Sequence, residues 1–174
     1  MAEISLRPLR AGDWAAVHEW ASMSEASRYQ PWGPNSAQQT QDFVDAAVRA
    51  WDRDPQDRYV WAVQQDSSVV GLGELHVRDR RWGQADIAYA VHPDRWGTGV
   101  ATRAGRQILA FGFDELGLHR IEGRCDPRNV ASAAVLTKLG LTWEGRLRQT
   151  ILLTDGWRDS AVYSILADEW SGGR

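Results

Sequence analysis

The sequence predicts a mixed α/β fold, on three observations. Runs that alternate apolar and polar residues, the period of a strand, are interleaved with runs whose apolar residues recur at three and four, the period of a helix. Turn-forming clusters separate neighbouring strand-like runs both early and late in the chain, as hairpins require. Between them, a strand-like run over 85–91 leads through Asp94-Arg95-Trp96-Gly97-Thr98-Gly99 into a helix-compatible run over 100–113, which reads as the start of a βαβ-like centre.

Taken in order, residues 4–9 alternate and form a short strand ended near Pro8. Asp13 is placed to cap a helix carrying Trp14, Val17 and Trp20 on one side. After the loop Pro31-Trp32-Gly33-Pro34, Ser36 and Gln39 have capping-box spacing, and the helix behind them stacks Phe43, Ala47 and Trp51. Strands at 59–64 and 69–77 flank the turn 65–68, and the polar turn 78–83 leads into the strand at 85–91. The central helix from Gly99 puts Val100, Ala104, Ile108 and Phe111 on one face. A strand at 119–125 follows, then a helix over 129–139 stopped by Gly140. Strands at 141–153 and 160–166, joined by Thr154-Asp155-Gly156-Trp157, close the chain. The sum is about seven strands and about four helices. With no repeat or linker, residues 1–174 read as a single domain.

Composition narrows the function. An apolar fraction of 43% and a charged fraction of 25% suit a globular protein with a sizeable core. No apolar run approaches the roughly 20 residues that span a bilayer, and the first residues lack a signal-peptide core, so a cytoplasmic protein with no membrane partner is expected. One cysteine, Cys125, excludes a disulfide framework, and His18, His76, His92 and His119 show no ligand spacing, so no metal is expected. A net charge of −3 gives no reason to expect nucleic acid as a partner. Of the 10 tryptophans, Trp14, Trp20, Trp51 and Trp61 fall on apolar faces. Trp32, Trp82 and Trp157 fall in turns, where an indole lines a pocket or covers a core edge.

The turn before the central helix carries the clearest chemistry. Two glycines one residue apart let the backbone turn tightly and expose successive amide N–H groups at the positive end of a helix, an anion site suited to phosphate. A plain turn has the same pattern, and no Gly-x-x-x-x-Gly-Lys-Ser/Thr loop or full Gly-x-Gly-x-x-Gly accompanies it to mark a nucleotide-binding protein.

Read with its flanks, this turn resembles that of the GCN5-related N-acetyltransferase (GNAT) superfamily, specifically the RimJ/RimL-type ribosomal-protein alanine/serine acetyltransferase branch. Leu6-Arg7-Pro8-Leu9 with Asp13 resembles the branch's opening. Ala88-Tyr89-Ala90-Val91-His92-Pro93 followed by Trp96-Gly97-Thr98-Gly99-Val100-Ala101-Thr102 resembles its cofactor motif. Asn129-Val130-Ala131-Ser132, Lys138-Leu139-Gly140-Leu141 with Glu144-Gly145, Trp157-Arg158-Asp159 and Tyr163-Ser164 follow in register. The superfamily pattern Gln/Arg-x-x-Gly-x-Gly/Ala falls on Trp96, Gly99 and Ala101. Tryptophan at its first position departs from the general pattern and removes one side-chain partner, but leaves the amides intact.

The resemblance implies a GNAT-like domain with a mostly antiparallel, twisted sheet, and acetyl-CoA as cosubstrate. Its diphosphate would lie on the amides of Gly97, Thr98, Gly99, Val100, Ala101 and Thr102 beside Trp96, with Arg95 and Arg103 at the rim. Its pantetheine arm would run along the strand that ends at Val91, past the small residues Ala88 and Ala90. Acetyl would pass directly to a primary amine, either a protein N-terminus or a small molecule; a homodimer is also implied. Asn129 and Ser132 would lie by the thioester, where Ser132 would protonate the leaving thiolate or hold a water that does; the competing reading has Asn129 cap the helix and Ser132 merely small. Glu74, His76 and Asp86 are the candidates for general base, each equally readable as a solvated strand residue. Asp159 and Trp32 are candidates for contact with the acceptor; Asp159 reads equally as holding the last strand pair, with Arg146 or Arg148 as its partner. Cys125 alternates with Ile121 on one strand face and reads as an inert thiol. The competing class is an acyl-CoA-binding sensor that keeps the cradle but lacks a base.

Overall fold

Asp66 and Ser67 hold positive φ, 49° and 67°, in a computed structural model of the chain, which describes residues 3–153 and 155–172. Two successive left-handed residues match the right-handed twist of paired strands, so the first hairpin closes through a two-residue turn without glycine. It joins β2 (Arg58–Gln65) to β3 (Ser68–Asp79). The other strands are β1 (Ile4–Pro8), β4 (Gln84–Val91), β5 (Arg120–Cys125), β6 (Thr142–Leu153) and β7 (Gly156–Leu166). They form one sheet in the order β1-β2-β3-β4-β5-β7-β6. Only β4 and β5 are parallel; every other neighbouring pair is antiparallel.

The α-helices are α1 (Trp14–Ala21), α2 (Ser24–Ser27), α3 (Ala37–Ala50), α4 (Val100–Ala110) and α5 (Val130–Lys138). The predicted capping box before α3 forms in full: Ser36 Oγ accepts from the Gln39 amide at 3.2 Å, and Gln39 Oε1 from the Ser36 amide at 2.8 Å. Asp13 departs from expectation. Its carboxylate accepts two bonds from Arg7, both 2.7 Å, and one from the Arg10 amide at 2.8 Å. It therefore secures the 3₁₀ turn Ala11–Asp13 and makes no side-chain cap for α1.

Three further differences have local causes. Helix α2 is four residues long, too short to show a period. After Ala110 the chain continues as one π-helical stretch, Phe111–Glu115, which carries Phe111 of the predicted helix. Strand β7 begins at Gly156 rather than 160, because Trp157 and Arg158 pair with Leu152 and Ile151 across an irregular stretch of β6. The charged pair Arg158-Asp159 interrupts the apolar alternation there and hides the strand. Thr154 of the predicted turn lies outside the described residues.

Side chains alternate across the sheet and find a helix layer on each side. On one face Val60, Ala62 and Leu72 pack with Val17 and Trp20 of α1 and with Val44 and Ala47 of α3. On the other, Leu75, Ile87 and Ile121 pack with Ile108 and Leu109 of α4 and Leu136 of α5. These are fully or nearly fully buried, at about 1.5–3 kcal/mol for each large aliphatic side chain. A Cβ at Gly73 would sit 2.5 Å from Ile108 Cδ1, so glycine lets α4 press onto β3.

Candidate functional site

Strands β4 and β5 pair only from Gln84↔Arg120 to Ile87↔Gly123. Beyond that point Ala88–Val91 keep partners on β3, while Arg124 and Cys125 keep partners on β7. The sheet therefore splits, and one edge of β4 is left with unpaired peptide groups, which require a hydrogen-bonding partner. Side chains alternate along β4: Ala85, Ile87 and Val91 are buried, while Asp86 and Ala88 open to the other side.

The glycine turn lies at the end of β4. Gly97 and Gly99 adopt positive φ, 74° and 81°, and a Cβ at Gly97 would meet nothing within 4 Å. The amides of residues 97–102 donate to no backbone carbonyl among the described residues, and the helical bond series begins with Arg103 donating to the Gly99 carbonyl at 3.1 Å. Thr98 Oγ1 closes the turn onto the Arg95 carbonyl at 2.7 Å, and Arg103 lies over it, with Nη1 3.4 Å from the Thr98 carbonyl. Trp96 is half exposed, and its Nε1 donates to the Val91 carbonyl at 2.8 Å. The indole thus ties the turn to the strand, a role that the departure from Gln/Arg gave no sign of.

Across the split stands the start of α5. Asn129 caps it, Oδ1 accepting from the Ser132 amide at 3.1 Å. Ser132 Oγ lies 3.1 Å from the hydroxyl of Tyr89, which also lies 3.2 Å from the Ser132 carbonyl. Burial raises the Tyr89 phenol well above its ordinary range, against a smaller lowering by Ser132. Burial and the charge of Asp126 likewise raise the Cys125 thiol. Three neutral hydroxyl or thiol groups thus gather where the strands part. The pairing of Tyr89 with a serine 43 positions away leaves no mark in the sequence.

On the α1/α3 face lies a cavity of about 440 Å³. Its lining is mostly apolar, with Trp20, Trp32, Phe43 and Leu72 prominent, and Ala88 and Ala90 of β4 form its floor. Trp32 packs edge-on to Trp20, ring centroids 6.0 Å apart. Glu74 reaches this cavity, held by Arg58 through two bonds of 2.8 and 3.1 Å. The other two base candidates lie on the same sheet face but do not line it: His76 pairs in register with Asp86, and Asp86 forms a 2.9 Å ion pair with Arg78. Burial raises the Asp86 carboxyl despite that arginine. Neighbouring Glu122 shows the reverse balance: burial pushes it up, but bonds from Arg120 and Arg124 bring it below its usual range.

Asp159 lines a separate cleft of about 300 Å³ with Arg128, Arg146, Trp157 and Arg158. Its carboxylate accepts from the Gln149 amide at 2.9 Å and Arg146 Nε at 2.5 Å, which lower its pKa. Trp82 lines neither cavity and lies exposed beneath Arg81. Among the described residues no group of His, Cys, Asp or Glu is arranged to hold a metal ion, and no helix is long and apolar enough to cross a membrane.

A split sheet, with a helix start rich in free amides beside it and an apolar cavity behind it, gives this mixed α/β domain places for an anionic ligand, an extended arm and an apolar group. The chain belongs to the acetyltransferase (GNAT) domain family, which matches residues 3–142, and is an N-acetyltransferase. It is 28% identical over 168 residues to the uncharacterized N-acetyltransferase YnaD of Bacillus subtilis, covering 95% of both chains. It is 26% identical over 168 residues to the spermidine N(1)-acetyltransferase of Escherichia coli, covering 96% of this chain and 88% of the other. A GNAT-family acetyltransferase of Bacillus anthracis superposes with a TM-score of 0.82 at 28% identity, over 97% of this chain and 98% of that one.

Proposed function

We propose that the chain transfers the acetyl group of acetyl-CoA directly to a primary amine borne on an apolar or aromatic body, as a member of the RimJ/RimL-type branch. The observation that carries this is the pairing of the amide cradle with the split between β4 and β5. Six amides without backbone partners at a helix start fit a diphosphate, and the free edge of β4 fits an extended amide-bearing arm. Bound there, acetyl-CoA supplies an activated thioester.

The chain's own groups then have distinct tasks. Residues 97–102 hold the diphosphate oxygens, and the β4 edge up to Val91 orients the arm. Ser132 gives a hydrogen bond to the leaving sulfur as the C–S bond breaks, with Asn129 fixing the helix turn that carries it. Glu74 receives the ammonium proton that must leave before nitrogen forms the new C–N bond; it is the base candidate that reaches the cavity. His76 and Asp86, further along the same face, offer the proton a route outward. Trp32 packs against the body of the acceptor.

The acceptor class follows from the lining. Glu74 is the one carboxylate among the lining residues and is already paired with Arg58, so the cavity suits an apolar group better than a polycation. The test is release of free CoA thiol with a panel of primary amines. Turnover on apolar amines exceeding that on spermidine is expected. Binding of acetyl-CoA without turnover on any amine would favour the sensor reading instead.

A further inference from the structure

The two charged groups that line the large cavity form a single pair, Arg58 and Glu74. Resting on the reading of that cavity as the acceptor site, we infer that the pair recognises a zwitterion: the acceptor is a free α-amino acid with an apolar side chain. Arg58 spends Nε and Nη2 on Glu74, at 2.8 and 3.1 Å, so Nη1 keeps both hydrogens with no acceptor among the described residues. Each Glu74 oxygen takes one of these bonds and retains a lone pair. The pair can therefore present donors to a carboxylate and acceptors to an ammonium side by side, without breaking its own contact.

The surroundings sharpen the match. The guanidinium carbon lies 5.4 Å from the ring centroid of Phe43, which fixes the plane of the fork against an apolar wall. Both side chains are about three-quarters buried, at 28% and 25% exposure, so a ligand that shields Arg58 from water without offering it an acceptor leaves donors unsatisfied. A simple amine does this, and a polyamine adds further positive charge beside the guanidinium. An amino acid supplies the missing carboxylate, and its ammonium falls beside Glu74, the group that takes the proton. The rest of the lining includes the uncharged polar Gln30, Asn35, Gln39 and Thr40, and its apolar part, with Trp20, Trp32 and Phe43, accommodates an aliphatic or aromatic side chain.

The experiment compares matched acceptors with the intact protein and acetyl-CoA: L-phenylalanine, L-phenylalaninamide and phenethylamine, with the leucine series as a second set. Loss of the carboxylate is expected to lower kcat/KM by about tenfold or more, because a site built to pair a polar group discriminates against its absence. Arg58→Lys, which keeps the charge but not the fork, is expected to shrink that ratio by about threefold or more. Amide or amine turning over as well as the acid overturns the inference while leaving acetyl transfer to amines intact, and so does a preference that survives Arg58→Lys. No turnover on any amine removes the broader reading together with this one.

Discussion

The hydroxyl of Tyr89 and Oγ of Ser132 lie 3.1 Å apart across the split between β4 and the start of α5. The phenol has one proton, and two acceptors on Ser132 compete for it: the hydroxyl oxygen and, at 3.2 Å, the backbone carbonyl. On the proposed role of Ser132, a proton given to Oγ would release the serine hydrogen toward the leaving sulfur, and one given to the carbonyl would turn that hydrogen back to Tyr89. We therefore propose Tyr89 as a positioning residue for Ser132.

Tyr89→Phe is expected to lower kcat with little change in KM for acetyl-CoA, by about tenfold, below the usual range for losing a general acid outright. Ser132→Ala should cost as much or more, and the double variant no more than Ser132→Ala alone, since the two act as one unit. Additive losses in steady-state kinetics would show that they do not.

Gly99 sits at φ 81°, where a side chain strains the backbone by roughly 1–2 kcal/mol, although its Cβ would meet Arg103 Nη1 only at an ordinary contact distance of 3.5 Å. Gly99→Val is expected to weaken acetyl-CoA binding by about tenfold or more in calorimetric titration. The large cavity proposed to take the acceptor is untouched by this change, so KM for the amine should move much less.

Cys125→Ala should retain most of the wild-type turnover. The thiol is half-buried, and burial together with Asp126 raises its pKa, so a reactive thiolate is disfavoured at neutral pH. A variant that binds acetyl-CoA but has lost all transfer would indicate an acyl-enzyme.

Acid should destabilise the fold in a defined window. The Arg120 guanidinium, with Ser164 Oγ, holds the Glu144 carboxyl down to about 2, while Arg7 lowers Asp13 and Arg128 lowers Asp126. Carboxyls depressed in the folded state contribute stability that is complete above their unfolded pKa, near 4.5 for glutamate, and is lost as pH falls through the folded value. Melting temperature should therefore fall steadily from about pH 5 toward pH 2. Glu144→Gln should flatten part of that slope, by a modest amount because the pair is partly solvated.

Much of the fold was legible because its signals are local. The capping box at Ser36 and Gln39, the stop at Gly140 and the alternation of β4 each depend on residues close in the chain, and each formed as read. The glycine turn was legible for the same reason. The misses are non-local or too short to show a period. Asp13 was claimed by Arg7 from the preceding strand, and α2 has four residues. Within the site, Arg58 stands one residue before the strand expected at 59–64, and only the register of β2 with β3 sets it near Glu74. Tyr89 meets Ser132 solely because the sheet splits, and no spacing in the sequence encodes that split.

The most direct measurement is a pair of calorimetric titrations, one with acetyl-CoA and one with S-acetylpantetheine, which keeps the thioester arm and lacks the diphosphate. If the unpaired amides of residues 97–102 hold the diphosphate, acetyl-CoA should bind at least about a hundredfold more tightly, a difference of roughly 2.7 kcal/mol. Equal affinities, or no heat from acetyl-CoA at all, would contradict the cradle and the alignment of the acetyl group that depends on it.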